Sequence, residues 1–176
     1  GADTLRDVAT NSARPQEERD AALFALLYKQ LTRGDYAGFV ANRPLVRKDA
    51  DTDAGLWGFI DQEQIPLGLF SKGRWSDGYA CPDITQTARK LAAAPQDPSA
   101  RLCLGDFLRL NGFDGFAALD DDPGKGELGG MARDFKGRPL ARGTIYEGLI
   151  ANKAVPANER AYALYRMVRC YAPSGN

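Results

Sequence analysis

The periodicity of the apolar residues constrains the fold of this chain more than any other feature. Leu23, Leu27 and Leu31 recur at intervals of four residues, which places them on one face of a helix. Pro15 and the acidic residues after it are a typical helix start, and a glycine follows the last turn. This pattern predicts a helix from residue 15 to residue 33. No stretch of the chain alternates convincingly with the period of two that a half-buried strand requires.

The rest of the chain repeats this kind of helical pattern between proline and glycine breaks. Asp35 can cap a second, shorter helix, and Asp97 with Pro98 can begin another. Further helices are predicted to run from the Cys81-Pro82-Asp83 start to the residue before Pro95, from Pro98 to Asn111, from 140 to 151, and from Pro156 to about Tyr171. The segment around residues 56–70 is apolar but is interrupted by Gly58, Pro66 and Gly68, which favours an irregular element. We therefore expect an all-α fold of antiparallel helical hairpins, in a single domain over residues 1–176 that belongs to a chain truncated after Asn176.

Composition excludes several kinds of function. Lysine plus arginine equals aspartate plus glutamate at 23 each, so no net charge attracts nucleic acid or an anionic membrane. The chain contains no histidine, which excludes Ser-His-Asp and Cys-His catalysis and every histidine-ligated metal site. The three cysteines form no CxxC pair. We expect no cofactor, no bound metal and no nucleic-acid partner.

Two motifs in the glycine-rich stretch 113–139 match known sites only formally. Residues 124–129 read GKGELG, but they follow acidic residues and a proline instead of the hydrophobic strand of a dinucleotide site. The run Asp120-Asp121-Asp122 offers calcium ligands, yet Met131 stands where the loop of an EF-hand needs glutamate. The composition of the whole stretch predicts a long surface excursion.

Three segments resemble the helical hairpins of tetratricopeptide-type repeats. LLYKQLTRGDYAGFV has a tyrosine, a helix end at Gly34 and a returning helix, as at the join between helices in that family. LAAAPQDPSARLCLGDFLRLNGF and LIANKAVPANERAYALYRMVRCYAP align with each other as two variants of one hairpin. Alanines such as Ala22, Ala37 and Ala88 would let neighbouring helices approach closely. The resemblance implies a protein or peptide partner bound in a concave groove and no chemistry; the alternative is that such hairpins simply build a globule.

The stretch GRWSDGYACP, residues 73–82, combines aromatic, charged and glycine residues in neither a helical nor a strand pattern. Aromatic and arginine side chains are frequent at binding hot spots. We take Trp57, Arg74, Trp75 and Tyr79 as the candidate ligand-facing residues. The structural alternative is that the same stretch caps the following helix and fixes it to its neighbour.

A disulfide between Cys81 and Cys103 would make that connection. In a strict antiparallel hairpin the two residues would lie too far apart, but the bridge can form if Cys81 belongs to a loop that folds back along the hairpin. Three unpaired buried thiols are the alternative, and Cys170 has no assigned partner. A disulfide would indicate an oxidising compartment, the bacterial periplasm or the cell exterior.

One catalytic alternative survives the absence of histidine. Lysozyme-like enzymes cleave glycans with a glutamic acid whose pKa is raised by apolar surroundings, and Glu63 lies between two apolar segments. No second carboxylate can be assigned as its partner, so a non-catalytic binding or assembly module of the bacterial envelope is the first interpretation. The longest apolar run, from Ala21 to Tyr28, is too short to span a bilayer, so we predict no transmembrane segment.

Overall fold

The computed structural model describes residues 1–52, 65–76, 78–113, 119, 135 and 137–171, with side chains up to residue 168. Its elements are eight helices and one 3₁₀ turn, and no strand occurs in these ranges. The helices are α1 Ala2–Thr10, α2 Gln16–Thr32, α3 Tyr36–Asn42, α4 Leu69–Lys72, α5 Ile84–Ala93, α6 Pro98–Leu110, α7 Arg142–Ala151 and α8 Ala157–Tyr171; the 3₁₀ turn is Arg43–Leu45. The predicted all-α class is confirmed.

Three aspartates start helices as the sequence predicts or allows. The side chain of Asp35 accepts a hydrogen bond from the Gly38 N–H at 3.0 Å at the start of α3. Asp97 accepts the Ala100 N–H at 2.8 Å at the start of α6. Asp83, at the start of α5, accepts the Gln86 N–H at 2.9 Å. These bonds satisfy amide donors that have no partner within the helix.

The helices pack largely in the order of the sequence. Helix α1 packs on α2, α2 on α3, α3 on α5, α5 on α6, α6 on α7, and α7 on α8. Helix α2 contributes more buried residues than any other described helix. Its Phe24 belongs to a connected cluster of five phenylalanine rings: Phe24, Phe39, Phe70, Phe107 and Phe113. The core is therefore one continuous apolar layer shared by successive helices.

The glycine-rich stretch is anchored in the core at both ends. Phe113 and Phe135 are buried at 4% and 7% exposure. Gly137 adopts φ +82°, and the Leu140 N–H donates to the carbonyl oxygen of Thr32 at the end of α2 at 2.8 Å. The described residues at the two ends of this stretch are thus fixed to the core. The GKGELG motif and Asp120-Asp121-Asp122 lie outside the described residues.

Candidate functional site

The chain between α4 and α5, residues 73–83, is fixed to the rest of the fold at four points; we call it the aromatic loop. Its first anchor is the side chain of Asn111, which is 7% exposed at the end of α6. The Arg74 N–H donates to Asn111 Oδ1 at 2.9 Å, and Asn111 Nδ2 donates to the Arg74 carbonyl oxygen at 2.9 Å. Asn111 Nδ2 also donates to the Phe107 carbonyl oxygen at 2.8 Å. One buried amide therefore holds the backbone of Arg74 against α6.

Aromatic stacking and a disulfide supply the other anchors. Trp75 is half-buried and stacks on Phe107 of α6, with ring centroids 5.9 Å apart. Tyr79 lies 5.1 Å from the ring of Tyr162 on α8, and its hydroxyl donates to a carboxylate oxygen of Glu159 at 3.0 Å. Cys81 forms a disulfide with Cys103 of α6, with Cα atoms 5.4 Å apart. The predicted bridge is confirmed, and it forms because Cys81 precedes α5 in the folded-back loop.

A buried charge network joins α6 to α8 next to this loop. Asp106 is fully buried and accepts the Tyr162 hydroxyl at 2.5 Å. Arg166 lies 3.4 Å from Asp106 Oδ1 and donates twice to the Tyr162 hydroxyl oxygen, at 2.9 and 2.8 Å. Arg109 donates to the same carboxylate at 3.4 Å. Burial and the bond to Asp106 raise the pKa of Tyr162 to about 12.

This network does not have the properties of a catalytic centre. Asp106 is 0% exposed, so a substrate cannot reach its carboxylate. Its oxygens are already engaged by the two arginines and by the Tyr162 hydroxyl. Its geometry instead fixes the relative position of α6 and α8. In the described part of the chain, no cluster of carboxylates and cysteines has the arrangement needed to hold a metal ion.

The candidate residues from the sequence have different environments. Arg74 is exposed at the start of the aromatic loop, whereas Trp75 and Tyr79 pack against helices and keep only part of their surface accessible. Trp57 and Glu63 lie outside the described residues. Arg74, Trp75 and Tyr79 thus lie on one loop; the backbone of Arg74 and the side chains of Trp75 and Tyr79 also anchor it.

The last helix carries an apolar surface that the sequence interpretation did not single out. Leu164, Tyr165 and Val168 of α8 are 52%, 52% and 57% exposed, and the exposed Ala157 and Ala161 continue the same face. We call these five residues the α8 face. In the sequence, their spacing of three and four residues is typical of a helix face that packs against the core, so it does not distinguish an exposed face from a buried one.

The ring of Tyr165 is in contact with the guanidinium group of Arg166. The guanidinium carbon of Arg166 lies 5.0 Å from the centroid of the Tyr165 ring and 4.9 Å from that of Tyr162. Because Arg166 is itself held by Asp106 and Tyr162, this contact restricts the exposed ring. An aromatic side chain held in this way loses little conformational entropy when a partner covers it.

The opposite end of the helix series is polar. Helix α1 turns Leu5, Val8 and Ala9 towards the fold, while its exposed residues are Asp3, Thr4, Arg6, Asp7 and Thr10. The exposed side of α1 is therefore polar, whereas the α8 face is apolar. Among the described residues, no helix is long and apolar enough to cross a membrane.

Comparison with known proteins gives no relative. No protein family, no curated protein and no solved structure matches the chain.

Proposed function

We propose that this protein is a non-catalytic binding module that captures an amphipathic helix of a protein partner on the α8 face. The single observation that carries the proposal is the exposure of Leu164, Tyr165 and Val168, at 52–57%, on one side of α8. Among the described helices, α2, α3, α5, α6 and α7 each pack between two neighbouring helices, so a helix is the shape that this surface fits.

The arrangement of helices supports a tetratricopeptide-like organisation as part of this proposal. Successive helices pack as neighbours, as in helical-hairpin repeats. Gly105 of α6 lies against Tyr146 where α6 meets α7. Proteins built in this way bind other proteins along surfaces formed by several helices. The Cys81–Cys103 disulfide supports a location in the bacterial periplasm or outside the cell, because such bonds persist in oxidising compartments.

The decisive experiment places a photo-crosslinking phenylalanine analogue at position 165 and irradiates the protein in an envelope extract. Mass spectrometry then identifies the crosslinked peptide, which is synthesised and titrated against the purified protein. We expect an amphipathic helical segment whose affinity falls about tenfold or more in Val168→Asp, since burial of a valine contributes about 1.5 to 3 kcal/mol.

Thr4→Asp is the matched control, because it adds the same charge to the polar outer face of α1. Binding by this variant should equal that of the wild type. A crosslink that joins two copies of this chain, or equal binding by Val168→Asp and Thr4→Asp, would overturn the proposal.

The catalytic alternative has its own test. If the protein cleaves glycans with Glu63, purified protein should release fragments from peptidoglycan or chitin oligomers, and Glu63→Gln should abolish that release. The same substitution should leave capture of the partner helix unchanged.

A further inference from the structure

An open cavity of about 400 Å³ lies between α4, the start of the aromatic loop and the end of α6. This volume is in the range of sites for small ligands. Buried Leu69 and half-buried Leu110 give it an apolar wall. The described residues that line it are Thr52, Leu69, Lys72, Gly73, Arg74, Leu110, Asn111 and Gly112.

Among the described lining residues, the charged side chains are two cations. Lys72 and Arg74 are both exposed, and none of the described residues that line the cavity is an aspartate or a glutamate. In the described ranges, neither cation forms an ion pair or a side-chain hydrogen bond, in contrast to Arg47, Arg109 and Arg166, which pair with carboxylates. The two cations are therefore available to a ligand.

The cations are also not needed to cap the helices that end here. The Leu69 carbonyl accepts the Gly73 N–H at 3.0 Å at the end of α4. At the end of α6, the Phe107 carbonyl accepts both the main-chain N–H of Asn111 at 3.2 Å and its side-chain amide at 2.8 Å. These carbonyl groups already have donors, although the partial negative charge of helix ends is often balanced by lysine or arginine.

The backbone between the two cations is held in place before any ligand arrives. Asn111 bonds both polar backbone atoms of Arg74. Gly73 packs so closely that a Cβ atom there would come within 2.7 Å of Asn111 Oδ1. Fixed attachment points reduce the entropy that binding would cost.

We propose that this cavity binds a carboxylate carried on a short apolar group. Lys72 and Arg74 contact the carboxylate, Arg74 being able to donate two parallel hydrogen bonds to it. Leu69 and Leu110 contact the apolar part, and the Thr52 hydroxyl offers one more hydrogen bond. Two sources carry this chemistry: the C-terminal residue of a peptide that ends in an apolar side chain, and a free short-chain carboxylic acid.

The test is a calorimetric titration with four probes: acetyl-Ala-Leu with a free carboxylate, the same dipeptide as its C-terminal amide, hexanoate, and inorganic phosphate. We expect binding of at least one of the two apolar carboxylates and no binding of the amide or of phosphate. If only the dipeptide binds, the ligand is a peptide terminus; if only hexanoate binds, it is a free acid.

Variants locate the site. Arg74→Gln and Lys72→Gln should each weaken the affinity about tenfold, since each removes a charged hydrogen-bond donor to the carboxylate. Lys153→Gln removes an exposed lysine outside the cavity and should change nothing. The substituted positions are at the surface, so thermal unfolding should confirm that all three variants fold.

Three results would contradict the proposal: equal binding of the amide, binding of phosphate as tight as that of the apolar carboxylates, or unchanged affinity in both Arg74→Gln and Lys72→Gln. Val168→Asp separates this proposal from the proposed function. It should abolish capture of the partner helix and leave the carboxylate titration unaltered, because position 168 does not line the cavity.

Discussion

At the scale of single residues, the side chain of Asn111 connects two distant parts of the chain. It is buried and makes three hydrogen bonds to backbone atoms, two of them to Arg74, which is 37 residues earlier in the chain. From the sequence, Asn111 with Gly112 marks only the end of a helix. The contact to Arg74 depends on how a distant loop folds back, and no local pattern reports that.

Asn111→Ala should lower the free energy of unfolding by about 1 to 3 kcal/mol. The reason is that the Arg74 N–H and carbonyl lose their partners and the N–H is left in a partly buried position. Urea unfolding followed by circular dichroism measures the effect. As a control, Asn158→Ala changes an exposed asparagine of α8 and should cost less than about 0.5 kcal/mol. Equal losses of unfolding free energy in the two variants would show that the hydrogen bonds between Asn111 and Arg74 do not stabilise the fold.

At the scale of the helices, the sequence predicts starts and ends better than it predicts contacts. Asp35, Asp97 and the left-handed glycine at Gly34 stand where their local patterns place them. The short helix α1 was not predicted, although its apolar residues face α2. The Asp106–Arg166 pair was not predicted either, because its partners are on different helices. One signal was present: Asp106 interrupts an apolar face of α6 that is otherwise buried.

The crossing of α6 and α7 depends on a residue without a side chain. A Cβ atom at Gly105 would lie 2.8 Å from the ring of Tyr146, which is fully buried. Gly105→Ala should therefore destabilise the fold by about 1 to 3 kcal/mol, despite the better helix propensity of alanine. Gly143→Ala in α7 meets no atom within 4 Å and should be neutral or stabilising. Thermal unfolding of both variants tests this difference; a stabilised Gly105→Ala would show that the helices can separate at no cost.

The Cys81–Cys103 disulfide links the aromatic loop to α6 across 22 residues of sequence. Its removal in the double variant Cys81→Ser, Cys103→Ser should cost about 3 kcal/mol, because the unfolded chain regains the entropy of the closed loop. Urea unfolding with and without reductant gives the measurement. Reductant should destabilise the wild type and leave the double variant unaffected. Equal sensitivity to reductant in both proteins would contradict this role.

At the scale of the whole molecule, the pH dependence of stability follows from the absence of histidine. Histidine is the side chain whose ordinary pKa lies between pH 5 and 8, and the chain has none. The groups with shifted pKa values among the described residues titrate outside the range from pH 5 to 8. Burial raises the pKa of Asp97, but the Ala100 N–H and Lys90 outweigh that effect and hold it below its usual value. Tyr162 has its pKa raised to about 12.

The two shifts act at opposite ends of the pH scale. A carboxylate with a lowered pKa stabilises the folded state above its unfolded pKa, and that contribution is lost as the pH falls through the acidic range. A tyrosine with a raised pKa stabilises the folded state below its ordinary value of 10.0, and the contribution is lost as the pH rises towards 12. Burial raises the pKa of Tyr79 and Tyr36 as well, so both add to the alkaline loss.

We therefore expect a plateau of stability with two falling limbs. The urea midpoint should change little between pH 5 and 8, with less than about 0.5 kcal/mol of variation in the free energy of unfolding. Asp97→Asn keeps an oxygen that can cap α6 but cannot titrate, so its acid limb should be shallower than that of the wild type. Tyr162→Phe should be less stable throughout and should lose less stability between pH 10 and 12. A steep fall in stability between pH 6 and 8 would contradict the expected plateau. An alkaline limb unchanged in Tyr162→Phe would contradict the role given to Tyr162, whose hydroxyl proton is shared with Asp106 at the contact between α6 and α8.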